Sequence, residues 1–284
     1  MGFLTKRELG KLVTKVENNP GSVREILKSF EPLSDKSPLV IGITGPQGAG
    51  KSTAINGLIR NYRSIGKSIV VLAVDPTSLS GGAFLGDRIR MNHFADDENV
   101  FIRSIASRGG MGGLAPLVNM YGILKLVSNS GFDVIFVESV GAGQTSLDIK
   151  KLVDLVVLIL SPGCGDSIQF MKGGIIEIAD IFAINKADTP DGQKLSHDLR
   201  SALEVCNFAE IPRLVGNGHN AYSDLFRKIK DFESNHDLTD SRIARKRFET
   251  IEWIRYLLSE RLPSVPEKII GDPLTVAEEL VKSL

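Results

Sequence analysis

Hydrophobic positions along this chain follow two rhythms. Near the N-terminus they recur every three or four residues. Leu9, Leu12, Val13 and Val16 make one apolar stripe, Asn18-Asn19-Pro20-Gly21 interrupts it, and Val23, Ile26 and Leu27 resume it. That spacing predicts helix over residues 1–30 with a break in the middle. Residues 31–38 are polar and hold Pro32 and Pro38, the composition of a linker. From residue 39 to about residue 230 the rhythm changes to short apolar runs at 39–44, 68–74, 99–104, 133–138, 153–161 and 180–185, separated by helical or Gly-rich stretches. Such runs read as buried strands, and their alternation with helices predicts an α/β fold: a mostly parallel sheet flanked by helices, with ligands at the carboxyl ends of the strands. The polar segment 233–240 then marks a boundary. Beyond it, Arg242 to Arg261 reads as a long amphipathic helix with Ile243, Phe248, Ile251, Ile254, Leu257 and Leu258 on one side, and 274–282 as a short last helix. Three parts result: an N-terminal helical extension (1–35), a central domain (36–232) and a C-terminal helical arm (233–284).

The first candidate chemistry stands between the first strand and the helix after it. Gly45-Pro46-Gln47-Gly48-Ala49-Gly50-Lys51-Ser52 fits the phosphate-binding pattern G-x-x-x-x-G-K-[ST], and Ile55, Leu58 and Ile59 follow Thr53 at helical spacing. The glycines let backbone N–H groups close around phosphate oxygens, and the helix N-terminus adds positive potential. Lys51 is expected to reach the β- and γ-phosphates and Ser52 to ligate Mg²⁺. A P-loop nucleoside triphosphatase is the expectation, and a chance Gly-rich turn is the alternative.

Asn185-Lys186-Ala187-Asp188 follows the apolar strand 180–185 and spells N-K-x-D. An aspartate carboxylate accepts from both N1–H and the exocyclic amine of guanine, and adenine offers neither in that arrangement. Asp188 is therefore expected to select GTP, with Asn185 bracing the loop and the stem of Lys186 packing over the base. The competing reading makes Asp188 the cap of the following helix.

Acidic residues at other strand ends complete the set. Glu138 closes strand 133–138, the position from which a carboxylate holds the water shell of Mg²⁺. Gly141 can offer its N–H to the γ-phosphate because no side chain blocks the approach. Asp75 ends the second strand, and Asp87 lies in a stretch holding Gly81, Gly82 and Gly86; both suit outer-shell ligation or positioning of water, although Asp87 also suits a helix cap. Gln144 can orient water. Arg88 and Arg90 can supply transition-state charge or simply be solvated. The Gly-rich stretch from Arg108 to Leu114 can move, dock a partner, or merely lead into a helix.

Composition narrows the remainder. Lysine plus arginine and aspartate plus glutamate each number 34, so net charge gives no reason to expect nucleic acid or an acidic membrane as partner. Cys164 and Cys206 stand far apart and the four histidines show no ligand spacing, which suits a reducing compartment and no transition-metal site. No apolar stretch is long enough to span a bilayer, and the N-terminus lacks a signal-peptide pattern. A cytoplasmic protein is expected.

These motifs together resemble one family. Asp75-Pro76-Thr77-Ser78, then Gly81 to Met91, then Glu138-Ser139-Val140-Gly141-Ala142-Gly143-Gln144, then Asn185 to Asp188, are similar to the MeaB/ArgK-type GTPases associated with methylmalonyl-CoA mutase. Leu9 to Pro20 looks like that family's N-terminal helix, and Pro162 to Gln169 like its Pro-Gly-x-Gly-Asp loop. The resemblance implies a GTP-hydrolysing chaperone that gates cofactor loading, or protection, of an adenosylcobalamin-dependent acyl-CoA mutase. It implies phosphate binding by Gly45 to Thr53, guanine binding by Asp188, and Ser52, Asp75, Asp87 and Glu138 around Mg²⁺. A homodimer with contacts from the Arg242–Arg261 helix is implied as well. An ungapped match puts Val215-Gly216-Asn217 where the family carries a Ser-Ala-type loop against guanine. That signature is missing and the segment lies only 27 residues after Asp188, which points to a trimmed or divergent member whose mutase partner need not be methylmalonyl-CoA mutase.

Three rivals stay open at this point. A small-molecule kinase would use the same phosphate grip with an acceptor other than water. A metal-insertion GTPase would want a Cys/His cluster, and a non-catalytic interaction module would bind nucleotide without turning it over.

Overall fold

A carboxylate stands immediately before each of three strands and ties the amino edge of the sheet together. The computed structural model describes residues 5–29, 37–77, 92–94, 96–108, 114–140, 148–163, 176–204, 213–214 and 222–261. In it, Asp133 accepts from Ser68 N–H at 2.9 Å, Asp154 from Val40 N–H at 2.9 Å and Asp180 from Val156 N–H at 2.7 Å. Each has a cationic partner: Lys67 at 2.8 Å, Arg245 at 2.9 Å and Lys150 at 2.6 Å. These pairs satisfy backbone donors that the strands leave open and keep the amino edge closed. The ligand site lies at the other end of the strands.

The strands are β1 (Leu39–Thr44), β2 (Ile69–Asp75), β3 (Val100–Ala106), β4 (Val134–Glu138), β5 (Leu155–Leu160), β6 (Ile181–Asn185) and β7 (Arg213–Leu214). They form one sheet in the order β3-β2-β4-β1-β5-β6-β7, and every pairing is parallel. The six strands expected from sequence are present, with ends moved by one or two residues. The two-residue β7 is additional. Its brevity leaves no apolar run to read.

Helices cover both faces, which is why the strands are apolar throughout rather than alternating. On one face, Val40, Val70, Leu72, Ile135, Val137 and Val156 pack with α1 (Lys6–Asn18), α2 (Val23–Lys28), α4 (Leu117–Ser128) and α5 (Ile149–Leu152). On the other, Ile41, Ile43, Val71, Phe136, Val157 and Ile159 pack with α3 (Lys51–Ser64) and α7 (Ser223–Asn235). Tyr62 of α3 sits edge-on to Phe136 and Phe226, and burial pushes its phenol well above the ordinary range, with Glu233 adding to the effect. The helix α6 (Pro190–Glu204) follows β6 and packs Leu195 and Leu199 on Leu158, Leu160, Phe182 and Ile184.

The N-terminal stripe forms two helices, as its break at residues 18–21 foretells. Thr5 and Glu8 close a reciprocal cap at the start of α1. The last described helix, α8 (Thr239–Ser259), begins earlier than the expected 242, and the break before it falls at residues 236–238, a few residues past the boundary drawn at 233. Glu249 pairs with Lys125 of α4, Trp253 packs on the adjoining core, and Arg242 and Arg245 reach Asp154 just before β5. The apolar row of α8 faces outward: Ile243 is 59% exposed and Leu257 57%, with Ile254 and Leu258 beside them. The expected last helix at 274–282 lies outside the described residues.

Candidate nucleotide site

The loop from Gly45 to Gly50 joins central β1 to α3 at the carboxyl edge. Gly45, Gly48 and Gly50 hold φ of 146°, 80° and 94°, values that L side chains rarely adopt. At Gly50 both conformation and space require glycine, because a Cβ there would lie 2.2 Å from the Asn185 side-chain nitrogen. Lys51, the first residue of α3, is buried and donates from Nζ to the carbonyls of Gly45 and Pro46, both at 3.0 Å. Its ammonium is thus held over the mouth of the loop. Pro46 and Ala49 are buried, and Gln47 and Gly48 are exposed.

Ser52 lies one residue further into α3 and donates its hydroxyl hydrogen to Glu138 Oε1 at 2.9 Å, a buried contact between the loop helix and the end of β4. Sheet register makes this meeting possible: Ile43 of β1 pairs with Glu138, and Ala73 of β2 pairs with Glu138 on its other side. Asp75, two residues beyond Ala73, is buried at the β2 end. A hydroxyl, a carboxylate and a second carboxylate therefore share one end of the sheet. These hard oxygen donors suit Mg²⁺, which binds through one or two protein groups together with substrate phosphates. Among the described residues no cluster of three or more His, Cys, Asp or Glu makes a metal cage.

The N-K-x-D loop meets the phosphate loop directly. Asn185 Nδ2 donates to Ala49 O at 3.0 Å, and its Oδ1 accepts from Lys186 N–H at 2.9 Å. Lys186 holds a φ of 53°, and both Lys186 and Asp188 are exposed. The competing reading of Asp188 as a helix cap is answered by its neighbour: Thr189 Oγ1 accepts from Gly192 N–H at 3.0 Å and donates to Lys186 O at 2.8 Å. The carboxylate of Asp188 is left facing outward beside the loop.

Two hydroxyls absent from the sequence expectations brace the same corner. Ser139 donates to Thr44 Oγ1 at 2.9 Å, and Ser139 N–H reaches Ile43 O at 3.1 Å, locking the ends of β1 and β4. The available signal was register: hydroxyls one residue past paired positions of neighbouring parallel strands. Asp87, Arg88, Arg90, Gly141, Gln144, Cys164, Cys206 and Val215 to Asn217 lie outside the described residues.

A parallel α/β sheet with a G-x-x-x-x-G-K-S loop on its central strand, hydrogen-bonded to an N-K-x-D loop two strands away, defines a P-loop GTPase. A family model described as methylmalonyl-CoA mutase-associated GTPase MeaB matches residues 9–268, and the chain belongs to that family. It is 31% identical over 248 residues to GTPase ArgK of Escherichia coli, covering 84% of this chain and 74% of that one. It is 29% identical over 281 residues to the mouse mitochondrial methylmalonic aciduria type A homolog, covering 93% of this chain and 66% of the relative. Among solved structures, a LAO/AO transport system kinase superposes with a TM-score of 0.65 at 21% identity, covering 98% of this chain and 93% of the other, a likeness of fold.

Proposed function

We propose that this protein is a GTP-driven chaperone that gates cofactor loading, or protection, of an adenosylcobalamin-dependent acyl-CoA mutase. What supports the client class is membership of a family described by its association with methylmalonyl-CoA mutase, over residues 9–268. What supports GTP as the fuel is the 3.0 Å bond from Asn185 to Ala49, which sets a guanine-selective loop against a phosphate loop.

In this reading Gly45 to Thr53 wrap the phosphates, and Lys51 exchanges its carbonyl partners for β- and γ-phosphate oxygens. Asp188 takes the guanine N1–H and amine while Lys186 covers the base and Val215, Gly216 and Asn217 complete the base pocket. Ser52 would hold Mg²⁺ with Asp75, Asp87 and Glu138 around it, and the ion when bound supplies charge neutralisation at the γ-phosphate. Gly141 would offer its N–H to that phosphate, since a glycine puts no side chain in the way. Water attacks in line, and the protein contributes positioning and preorganised charge more than covalent chemistry. Glu138 accepts the Ser52 hydroxyl hydrogen, which would leave an oxygen lone pair of Ser52 for the ion.

The outward apolar row of α8 supports a homodimer built on that helix. A solvent-exposed stripe of Ile243, Ile251, Ile254, Leu257 and Leu258 at helical spacing is the seam a second copy covers. Among the described residues no helix is long and apolar enough to cross a membrane. Cytoplasmic action without nucleic acid is part of the proposal.

The test uses purified apo-methylmalonyl-CoA mutase and adenosylcobalamin, with this protein loaded with GTP, GDP or no nucleotide. Loading or inactivation rates that depend on the nucleotide, with free phosphate released, are expected. Rates identical in all three mixtures and without the protein would overturn the chaperone reading. Labelled γ-phosphate recovered on a small acceptor would favour the kinase instead.

A further inference from the structure

Among the described residues, two that are not glycine hold a positive φ: Lys186 in the guanine loop, and Arg108 at 44°. Such backbone conformations persist only where surrounding contacts over-determine them, and they collect at functional sites. Arg108 is held in this way. Its N–H donates to Thr77 Oγ1 at 2.6 Å, and its guanidinium donates to Glu17 O at 3.2 Å and to Asn18 Oδ1 at 2.5 Å. Glu17 is buried beside it, 3.8 Å from the guanidinium, and accepts the N–H of Ala106 at 3.0 Å. Ala106 is the register partner of Asp75, and Thr77 stands two residues past Asp75. The end of α1 is therefore fastened to the strand ends that carry a candidate Mg²⁺-side carboxylate.

The same turn touches α8. Asn19 Oδ1 accepts from the Tyr256 hydroxyl at 3.4 Å. The Tyr256 ring lies over Gly21, where an added Cβ would come within 3.3 Å of the hydroxyl and 3.4 Å of the ring. Tyr256 is edge-on to Trp253, with ring centres 5.9 Å apart, and the exposed row Ile254, Leu257 and Leu258 shares that part of the helix.

We infer that residues 17–19 at the end of α1 form a relay between the Asp75 strand end and α8, with Arg108 as its positioning residue. The relay rests on the nucleotide-site reading given above. When the β2 end shifts with the nucleotide state, Thr77 shifts with it and Arg108 changes its hold on Glu17 and Asn18. Asn19 then displaces Tyr256. Coupling requires contacts that differ between two states, and a strained residue bonded on both sides is an element suited to switching between them.

Trp253 is the only tryptophan in the chain, so its emission reports on α8 in the full-length protein. Emission is measured with GDP and with a non-hydrolysable GTP analogue, and affinities are measured separately with fluorescent forms of both nucleotides. The wild-type protein is expected to emit differently in the two states. Arg108→Ala and, independently, Tyr256→Phe are expected to lose that difference while binding both nucleotides within about twofold of wild type. A Trp253 difference kept at full size in Tyr256→Phe overturns the relay, whether or not Arg108→Ala folds. So does wild-type emission that is identical in two states shown to be occupied. Failure of the fluorescent nucleotides to bind at all would defeat the nucleotide-site reading, and the relay with it.

Discussion

Asn185 donates to the carbonyl oxygen of Ala49 at 3.0 Å, joining loops that are 136 residues apart in sequence. The bond ties the N-K-x-D loop to the G-x-x-x-x-G-K-S loop and fixes the distance between them. Gly50 makes room for it, since any side chain there would occupy the place of the Asn185 amide.

Removing that tie separates the two loops. Asn185→Ala is expected to weaken GTP and GDP binding about tenfold, the equivalent of roughly 1.4 kcal/mol for a lost, partly buried hydrogen bond. Titration of both nucleotides checks it, and both affinities fall together because the bond serves the frame rather than the γ-phosphate.

Glu138→Gln keeps an oxygen to accept from Ser52 but removes the charge. Hydrolysis is expected to fall by about two orders of magnitude, while GTP affinity changes by only a few-fold. Single-turnover phosphate release against equilibrium binding separates the two effects.

Glycine to alanine has opposite signs at two helix positions. In α1, a Cβ on Gly10 would meet nothing within 4 Å, so Gly10→Ala gains about 0.5–1 kcal/mol of helix stability. In α3, a Cβ on Gly57 would lie 2.1 Å from the Tyr222 ring. Overpacking costs about 1–3 kcal/mol and outweighs the helix gain, so Gly57→Ala destabilises. Denaturant midpoints compare the pair directly.

Burial alone would raise the Asp133 carboxyl, but hydrogen bonds from Lys67 and Ser68 outweigh it and hold the group below its ordinary value of 3.8. A depressed folded value means stabilisation that is complete above the unfolded value and lost as pH falls through the folded one. Asp133→Asn is therefore expected to flatten the loss of stability as pH falls below the ordinary carboxyl value of 3.8, as read from thermal midpoints across the acid range.

Much of this architecture was legible in the chain. Runs of β-branched residues located six strands to within two residues, because strands covered on both faces must be apolar throughout. The G-x-x-x-x-G-K-S loop was legible because its chemistry is local: glycine for unusual φ, then lysine and serine at a helix start. What could not be read depends on partners distant in sequence. Glu17 sits in an apolar stripe and its role emerges only where Ala106 and Arg108 fold against it. The pattern along α8 marked an apolar side, yet its docking is made by Arg242 and Arg245 on buried Asp154, which leaves that side outward.

The central claim is that Asp188 reads guanine for a loop that holds its triphosphate. Xanthine carries an oxygen where guanine carries its amine, so Asp188→Asn, which can donate to that oxygen, tests the claim most directly. Affinities of wild-type and variant protein for GTP and for xanthosine triphosphate are measured side by side. The expected result is a reversal, with the variant losing GTP affinity by tenfold or more and gaining xanthosine triphosphate affinity by a similar factor. A variant that still prefers GTP as strongly as the wild-type protein would contradict the account.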